Sequence, residues 1–455
     1  MAVGRRKAKQ QDLFFTADQL PKSPGHPFYS KLNELLADAG FDCWIEELCK
    51  PYFKTGGRPS IPPGVYFRMI FVGHFEGIGS QRGIAWRCSD SRSLAEFLGF
   101  LPNEATPDHS SLTNMHKRLP MEIHDQVFQF VLNIAAAKEL LAGKTVGVDS
   151  TTLEASAAMK NIVRKDSGES YKEFLKRLAE EEGLENPTDE ELRRFDKTRK
   201  DKTCSNAEWE SPVDADARVA KMKDGTTHFA YKAENVVDLE SEIIVAAVVL
   251  HANLGDAATL TESVSKARSN VEEALGEDVL REAAADKGYH SAESLHELQE
   301  TGVKTYVAVP ELRGERRWTD KPEGRKEAVY GNRRRARDER GRRLQRRRSE
   351  VVERSFAHLC ETGGARRCWL RGLLKVSKRY SIQAAARNLA TIMRLLFGVG
   401  TARSLQGTGG ARPQWVFWQF WRVRMSWAWW RELSARELRR LASISQFHLY
   451  GRLAA

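Results

Sequence analysis

Eight apolar residues follow one another in Ile243-Ile244-Val245-Ala246-Ala247-Val248-Val249-Leu250, and this run narrows the choice of fold more than any other stretch. A strand with one wet face alternates apolar and polar side chains, so an unbroken run of strand length reads as a strand covered on both faces. Periodicity alone also allows a buried helix segment. Other strand-like runs surround it. Lys144 to Leu153 is rich in β-branched residues, and Gly147 weakens it as a helix. His228 to Ala233 is a second run, Val279 to Ala285 a third, and Lys304 to Val309, closed by Pro310, a fourth. Helices separate them: one of about 20 residues starts at Gly255-Asp256 and ends near Leu275-Gly276, and another spans Ala292 to Glu300. The order strand, two strands, helix, strand, helix, strand predicts an α/β layer architecture with a mixed sheet.

The chain before this region is helical in pattern. After a polar leader, residues 1–26, apolar spacing predicts two helices over about 27 to 53, broken at Ala39-Gly40. Further helices follow Pro62-Pro63, Ser80, Ser91 or Ser93, and Thr106-Pro107-Asp108, and a long amphipathic one runs from Met121 to Leu141. Short helices with tight turns carrying Arg82, Arg87, Arg92, Lys117 and Arg118 suit a helix-turn-helix DNA-binding region over 27–141, or an ordinary helical subdomain with surface arginines. Residues 155–218 are highly charged and predict a helical insertion, with Thr188 to Glu191 as a capping box. Residues 313–348 form an arginine-rich connector, with Arg333-Arg334-Arg335 and Arg346-Arg347-Arg348 as clusters that are solvated or in contact with phosphate. A helix through Val351 to Leu359 and a last one over Ser381 to Phe397 follow. The tail, 401–455, differs in composition, with Trp415, Trp418, Trp421, Trp427, Trp429 and Trp430 crowded beside arginines. It is expected to be an extension outside the domain.

A length of 455 residues admits two or three domains, and a net charge of +11 with pI about 9.3 favours a polyanionic partner. The six cysteines form no CxxC pair and no His/Cys ligand cluster, which argues against a zinc site or disulfide frame and for a reducing compartment. No signal-peptide core and no run of about eighteen apolar residues is present, so the expected location is the cytoplasm, with no membrane partner.

Three carboxylates stand out. Asp149 alone is either a turn cap for Ser150 and Thr151 or a metal ligand. Asp286 repeats the arrangement after a second strand, and Glu353 lies beside the apolar stripe of Val352, Phe356 and Leu359. Two divalent ions about 3.5 to 4 Å apart need such a cluster to activate a nucleophilic oxygen and stabilise the departing one in phosphodiester displacement. Mg2+ suits oxygen ligands and open water positions, with Mn2+ as a substitute. Asp256 reads instead as a helix cap, and Asp214 and Asp216 as loop acids.

The text around these acids resembles bacterial insertion-sequence transposases of the DDE class, in the grouping of insertion-sequence families four and five. The matching blocks are Gly57-Arg58-Pro59-Ser60-Ile61-Pro62-Pro63, Gly83-Ile84-Ala85-Trp86-Arg87, Thr106 to Leu112, Val146 to Ala155, Asp216-Ala217-Arg218 with Lys221 to Gly225, Ala285 to Ser291, and Val352-Glu353-Arg354-Ser355-Phe356. They cover roughly residues 25 to 405. The resemblance implies an RNase H-like catalytic domain over 142–400 and Asp149, Asp286 and Glu353 as its metal-binding catalytic triad. It implies double-stranded DNA as partner, at element ends and target, and a homodimer that pairs two ends. Arg82, Arg87, Lys117, Arg118, Lys287, Arg333, Arg334, Arg335, Arg346 and Arg348 are the expected DNA contacts. The family's Tyr-x2-Arg-x3-Glu-x6-Lys pattern falls here on Arg346, Ser349, Glu353 and Cys360, a departure that leaves a catalytically inactive, DNA-binding remnant as the alternative. Glu350 is a competing third acid, but it stands outside the Val-Glu-Arg-Ser-Phe block.

Overall fold

The unbroken apolar run is a strand. In the computed structural model, which describes Thr16 and residues 25–54, 56–57, 59–200, 205–222, 225–311, 318 and 322–402, it is the sixth of eight strands. These are β1 (Thr145–Glu154), the short pair β2 (Val163–Arg164) and β3 (Trp209–Glu210), β4 (Arg218–Lys221), β5 (Thr227–Asp238), β6 (Ile244–His251), β7 (Glu282–Ala285) and β8 (Lys304–Val307). The main sheet runs β4-β5-β1-β7-β8, with β6 also paired to β5. β5 is antiparallel to β1, to β4 and to β6, while β7 is parallel to β1 and β8 parallel to β7. This is the expected mixed sheet. Residues 243–247 of the apolar run are all buried, as a strand with cover on both faces requires.

Helices supply that cover. Upstream of β1 come α1 (Pro27–Asp38), α2 (Phe41–Cys49), α3 (Pro63–Glu76), α4 (Gln81–Asp90), α5 (Arg92–Phe97), α6 (His109–Arg118) and α7 (Met121–Ala137). Their starts follow local chemistry: Ser80, Ser91 and Asp108 each accept a backbone N–H three residues on, and Pro27 and Pro63 occupy the first helical turn. The insertion holds α8 (Tyr171–Glu181) and α9 (Asp189–Thr198), both opened by capping boxes, around a small core of Leu175, Ala179 and Leu192. After β6 come α10 (Asp256–Leu275), α11 (Ala292–Glu300), α12 (Arg325–Arg337), α13 (Glu339–Phe356), which continues as a π-helical turn through Thr362, and α14 (Leu373–Phe397).

Several expectations change. Asp149 is not at the end of its strand: β1 continues to Glu154 because β5 keeps pairing with it through Ala230. The arginine-rich connector is largely helical, and its clusters lie on α12 and α13. The last helix begins at Leu373, eight residues before Ser381, because Asp214 and Asp216 accept the Gly372 and Leu373 amides at its start at 3.0 and 2.9 Å. These two are helix-start anchors more than loop acids, and Asp214 is buried. Cys49, Cys88, Cys360 and Cys368 are buried thiols and Cys43 is exposed. Most of the leader, Arg58, Cys204, Lys223, Asp224, much of the connector before Pro322 and the tryptophan-rich tail beyond Ala402 lie outside the described residues.

Candidate active site

The parallel register of β1 and β7 ends at the pair Val148 and Ala285. The next residue along each chain is an aspartate, Asp149 within β1 and Asp286 just past β7, so the two stand side by side where strands about 4.8 Å apart cease to pair. The carboxyl ends of parallel strands are where open α/β sheets hold ligands. Asp149 accepts the Ser150 amide on Oδ1 and the Arg348 guanidinium on Oδ2, each at 2.8 Å. Burial pushes its carboxyl above the usual range and the charge of Asp286 adds to this, while Arg348 and the Ser150 amide oppose it. Asp286 caps a single 3-10 turn, Lys287–Tyr289, accepting the Gly288 amide at 2.5 Å. Two adjoining carboxylates, one of them held up by burial, fit an oxygen-liganded divalent cation.

Helix α13 crosses the sheet beside these acids. Gln345 donates to the Ala285 carbonyl at 2.9 Å, Arg348 reaches Asp149, and Ser355 accepts from Asn235 of β5 at 3.0 Å, so the helix passes over β7, β1 and β5 in turn. Gly147 permits this approach. A Cβ there would lie 3.0 Å from Arg348 Cγ, 3.0 Å from Val352 Cγ2 and 2.7 Å from Leu239 Cδ2. One edge of the helix, Arg347 and Arg354, is tied to Glu242. The other edge repeats at four-residue intervals through Gln345, Ser349 and Glu353, the edge that starts at Ala285 just before Asp286. Glu353 is exposed and accepts from Ser349 at 3.1 Å. Among the described residues no group of three His, Cys, Asp or Glu stands close enough to hold a metal. The structure thus brings Asp149 and Asp286 together and leaves Glu353 on the adjacent helix edge, apart from them.

Beneath the two aspartates, on the opposite face of the sheet, lies a buried polar network that strand and motif reasoning missed. Lys232 pairs with Asp256 at 2.8 Å and with Glu234 at 3.3 Å; Ser150 donates to Asp256 at 3.0 Å. Tyr289 and Thr259 donate to Glu234 at 2.9 and 2.8 Å, and burial with the charge of Glu234 holds the Tyr289 phenol far up. The network joins the residue after Asp149 to the turn after Asp286. Asp256 is therefore no helix cap: Gly255 is the cap position, and the Asp256 carboxylate is taken by Lys232 and Ser150. The signal was present in β5, where Lys232 and Glu234 fall two apart inside a strand and so share a face.

The expected DNA contacts divide. Arg82, Lys117, Lys287, Arg333, Arg334 and Arg346 are exposed, and Arg118, also exposed, lies over the Phe53 ring. Arg87 pairs with Glu76. Arg335 donates to the Thr305 carbonyl at 3.0 Å and Arg348 to Asp149, so both are engaged within the protein, not presented to a phosphate. The helical setting explains this, since in an arginine-rich helix the residues at every third or fourth position face the sheet, and Arg335 and Arg348 fall on that side.

Comparison with known proteins adds two matches. Residues 16–118 match a family model described as Transposase domain (DUF772). Residues 194–389 match one described as Transposase DDE domain, a span that contains Asp286 and Glu353 and begins beyond Asp149. No curated protein and no solved structure matches the chain.

Proposed function

The chain belongs to the transposases of the DDE class, enzymes that cleave DNA and transfer its strands, and from that premise we propose that it acts in the cytoplasm on an insertion sequence of the four/five grouping. In this reading it binds the terminal inverted repeats as a homodimer, nicks the ends with metal-activated water, and joins a 3′ hydroxyl to target DNA. The carrying observation is the placement of Asp149 and Asp286 side by side, each one residue beyond the last parallel pair of β1 and β7, with α13 crossing beside them. A sheet in which β1 is central, β5 and β6 antiparallel on one side and β7 and β8 parallel on the other supports an RNase H-like catalytic domain over 142–400. Exposed Arg82, Lys117 and Arg118 on α4 and α6 support a DNA-binding role for 27–141.

Asp149 and Asp286 would hold Mg2+, with Glu353 joining from the edge of α13. When bound, the ions would lower the pKa of a water and stabilise the departing oxygen. Arg348 positions Asp149 and offsets its charge while the carboxylates are close. Ser349 orients Glu353, and exposed Lys287 stands beside Asp286 within the same turn, available to a DNA phosphate. An end-containing duplex incubated with Mg2+ tests this. Asp149→Ala, Asp286→Ala and Glu353→Ala should each abolish nicking while gel-shift binding of the ends survives, and undiminished nicking would remove that residue from the triad. The Arg348 contact on Asp149, with Glu353 held apart, favours one second reading: a DNA-binding remnant without chemistry, which predicts end binding and no nicking with either Mg2+ or Mn2+.

A further inference from the structure

A cavity of about 340 Å³ opens between the N-terminal helices and α14, and its wall carries Arg82, Lys378 and Arg379 but no Asp or Glu. Lys378 is only 4% exposed and donates to the His116 carbonyl at 3.3 Å; among the described residues it has no carboxylate partner. Burial lowers its pKa and that of Arg379. Arg82 and Arg379 likewise pair with no acid among the described residues. The charge of Glu122 acts on Lys378 from outside the wall, but cations gathered in a partly closed space with no counter-charge on its lining are unfavourable, and an incoming anion relieves them.

The geometry of the wall narrows the ligand. Gly79 lets two donor side chains lie close to the backbone of the wall: a Cβ there would stand 3.1 Å from Trp369 Nε1, which would have to give way, and 3.6 Å from Arg379 Nη2. Ser80 then caps α4, whose first-turn amides add positive potential at the same wall. The remaining surface is mainly apolar, and the volume suits a nucleotide-sized group and excludes a duplex. The cavity also lies downstream of the catalytic strand. The Glu154 amide donates to the Arg366 carbonyl and the Cys368 amide to the Glu154 carbonyl, at 2.9 and 2.8 Å, so the segment leading to Trp369 lies parallel beside the end of β1.

We propose that this cavity is an oxyanion site for the phosphate of a nucleotide, presented either as the terminal phosphate of a DNA strand or as a free nucleotide. The proposal does not depend on the metal-binding acids. Titration calorimetry of the full chain at constant ionic strength, without divalent metal, uses inorganic phosphate, thymidine 5′-monophosphate and thymidine as probes. Phosphate and the monophosphate should bind saturably and thymidine should not. Lys378→Met, Arg379→Gln and Gly79→Ala should each weaken binding at least about tenfold, with circular-dichroism melting showing that each variant is folded. A second arm compares single strands ending in a 5′ phosphate or a 5′ hydroxyl. A preference for the phosphorylated end that Arg379→Gln removes identifies DNA as the source; equal binding of both ends, with displacement of neither by the monophosphate that does bind, identifies a free nucleotide. Absence of saturable phosphate binding, or binding unchanged in both Arg379→Gln and Gly79→Ala, overturns the proposal.

Discussion

Arg348 meets the Asp149 carboxylate from the buried face of α13, and its Nε is left without a partner. Replacing it by Met keeps the stem that packs near Gly147 and removes the charge. Asp149, with 23% of its side chain exposed, would then lack the cation that offsets both burial and Asp286, so its pKa should rise further. A carboxyl whose folded value lies above the ordinary 3.8 makes the protein lose stability as pH rises from that value through the folded one, because the native state then binds more protons than the unfolded chain. Arg348→Met should extend that loss to higher pH and cost about 1–3 kcal/mol near neutrality. Urea unfolding across pH checks it: Asp149→Asn in the same background should abolish the difference, and an unchanged pH profile would show that Arg348 does not set the charge of Asp149. At this scale the sequence was informative where an acid comes with a strand, Asp149 within β1 and Asp286 directly after β7. It placed Lys232 and Glu234 on one face of a strand but could not name their partners, and it misread Asp256 as a cap, because these roles arise only when β5 and α10 are laid against β1.

Helix α13 was the element hardest to read. Its apolar positions, Leu344, Val351, Val352 and Phe356, are diluted by arginines that carry no periodic hydrophobic signal, whereas the strands at 145–154 and 244–251 announced themselves by β-branched content. Its position rests on two devices. Gly147 lets it lie close to β1, so Gly147→Ala should lift the helix, cost about 1–3 kcal/mol, and reduce nicking more than end binding. On the far edge, Arg347 and Arg354 of α13 and Arg394 of α14 converge on Glu242. Although burial pushes the Glu242 carboxyl up, Arg394 and Arg354 bring it down to about 2. A depressed folded value contributes stability that is present above 4.5 and lost as pH falls towards 2. Glu242→Gln should therefore destabilise the protein by about 2–4 kcal/mol at neutral pH and flatten the acid limb of its stability profile; a wild-type acid limb would show that the three arginines find other counter-charges.

Across the whole molecule, the helices before β1 are fastened to those after it. Lys378 and Ser381 of α14 donate to the His116 and His124 carbonyls, and Gln129 of α7 donates to the Asn270 carbonyl of α10 at 3.0 Å. Helix α3 buries ten of its fourteen residues, far more than one amphipathic stripe, so it needs neighbours on nearly every side. Composition alone marked 27–141 as helical and basic but held no sign that its cover comes from residues more than two hundred positions later. A fragment of residues 1–141 should therefore expose much of α3 and α7, show helical circular dichroism without a cooperative melt, and bind element ends weakly. The same segment supplied in trans to residues 142–403 should recover a cooperative transition if the two associate through α14. A fragment melting as sharply and as high as the intact chain would mean that α3 finds enough cover within its own segment, and that end binding and chemistry are separable parts of this enzyme.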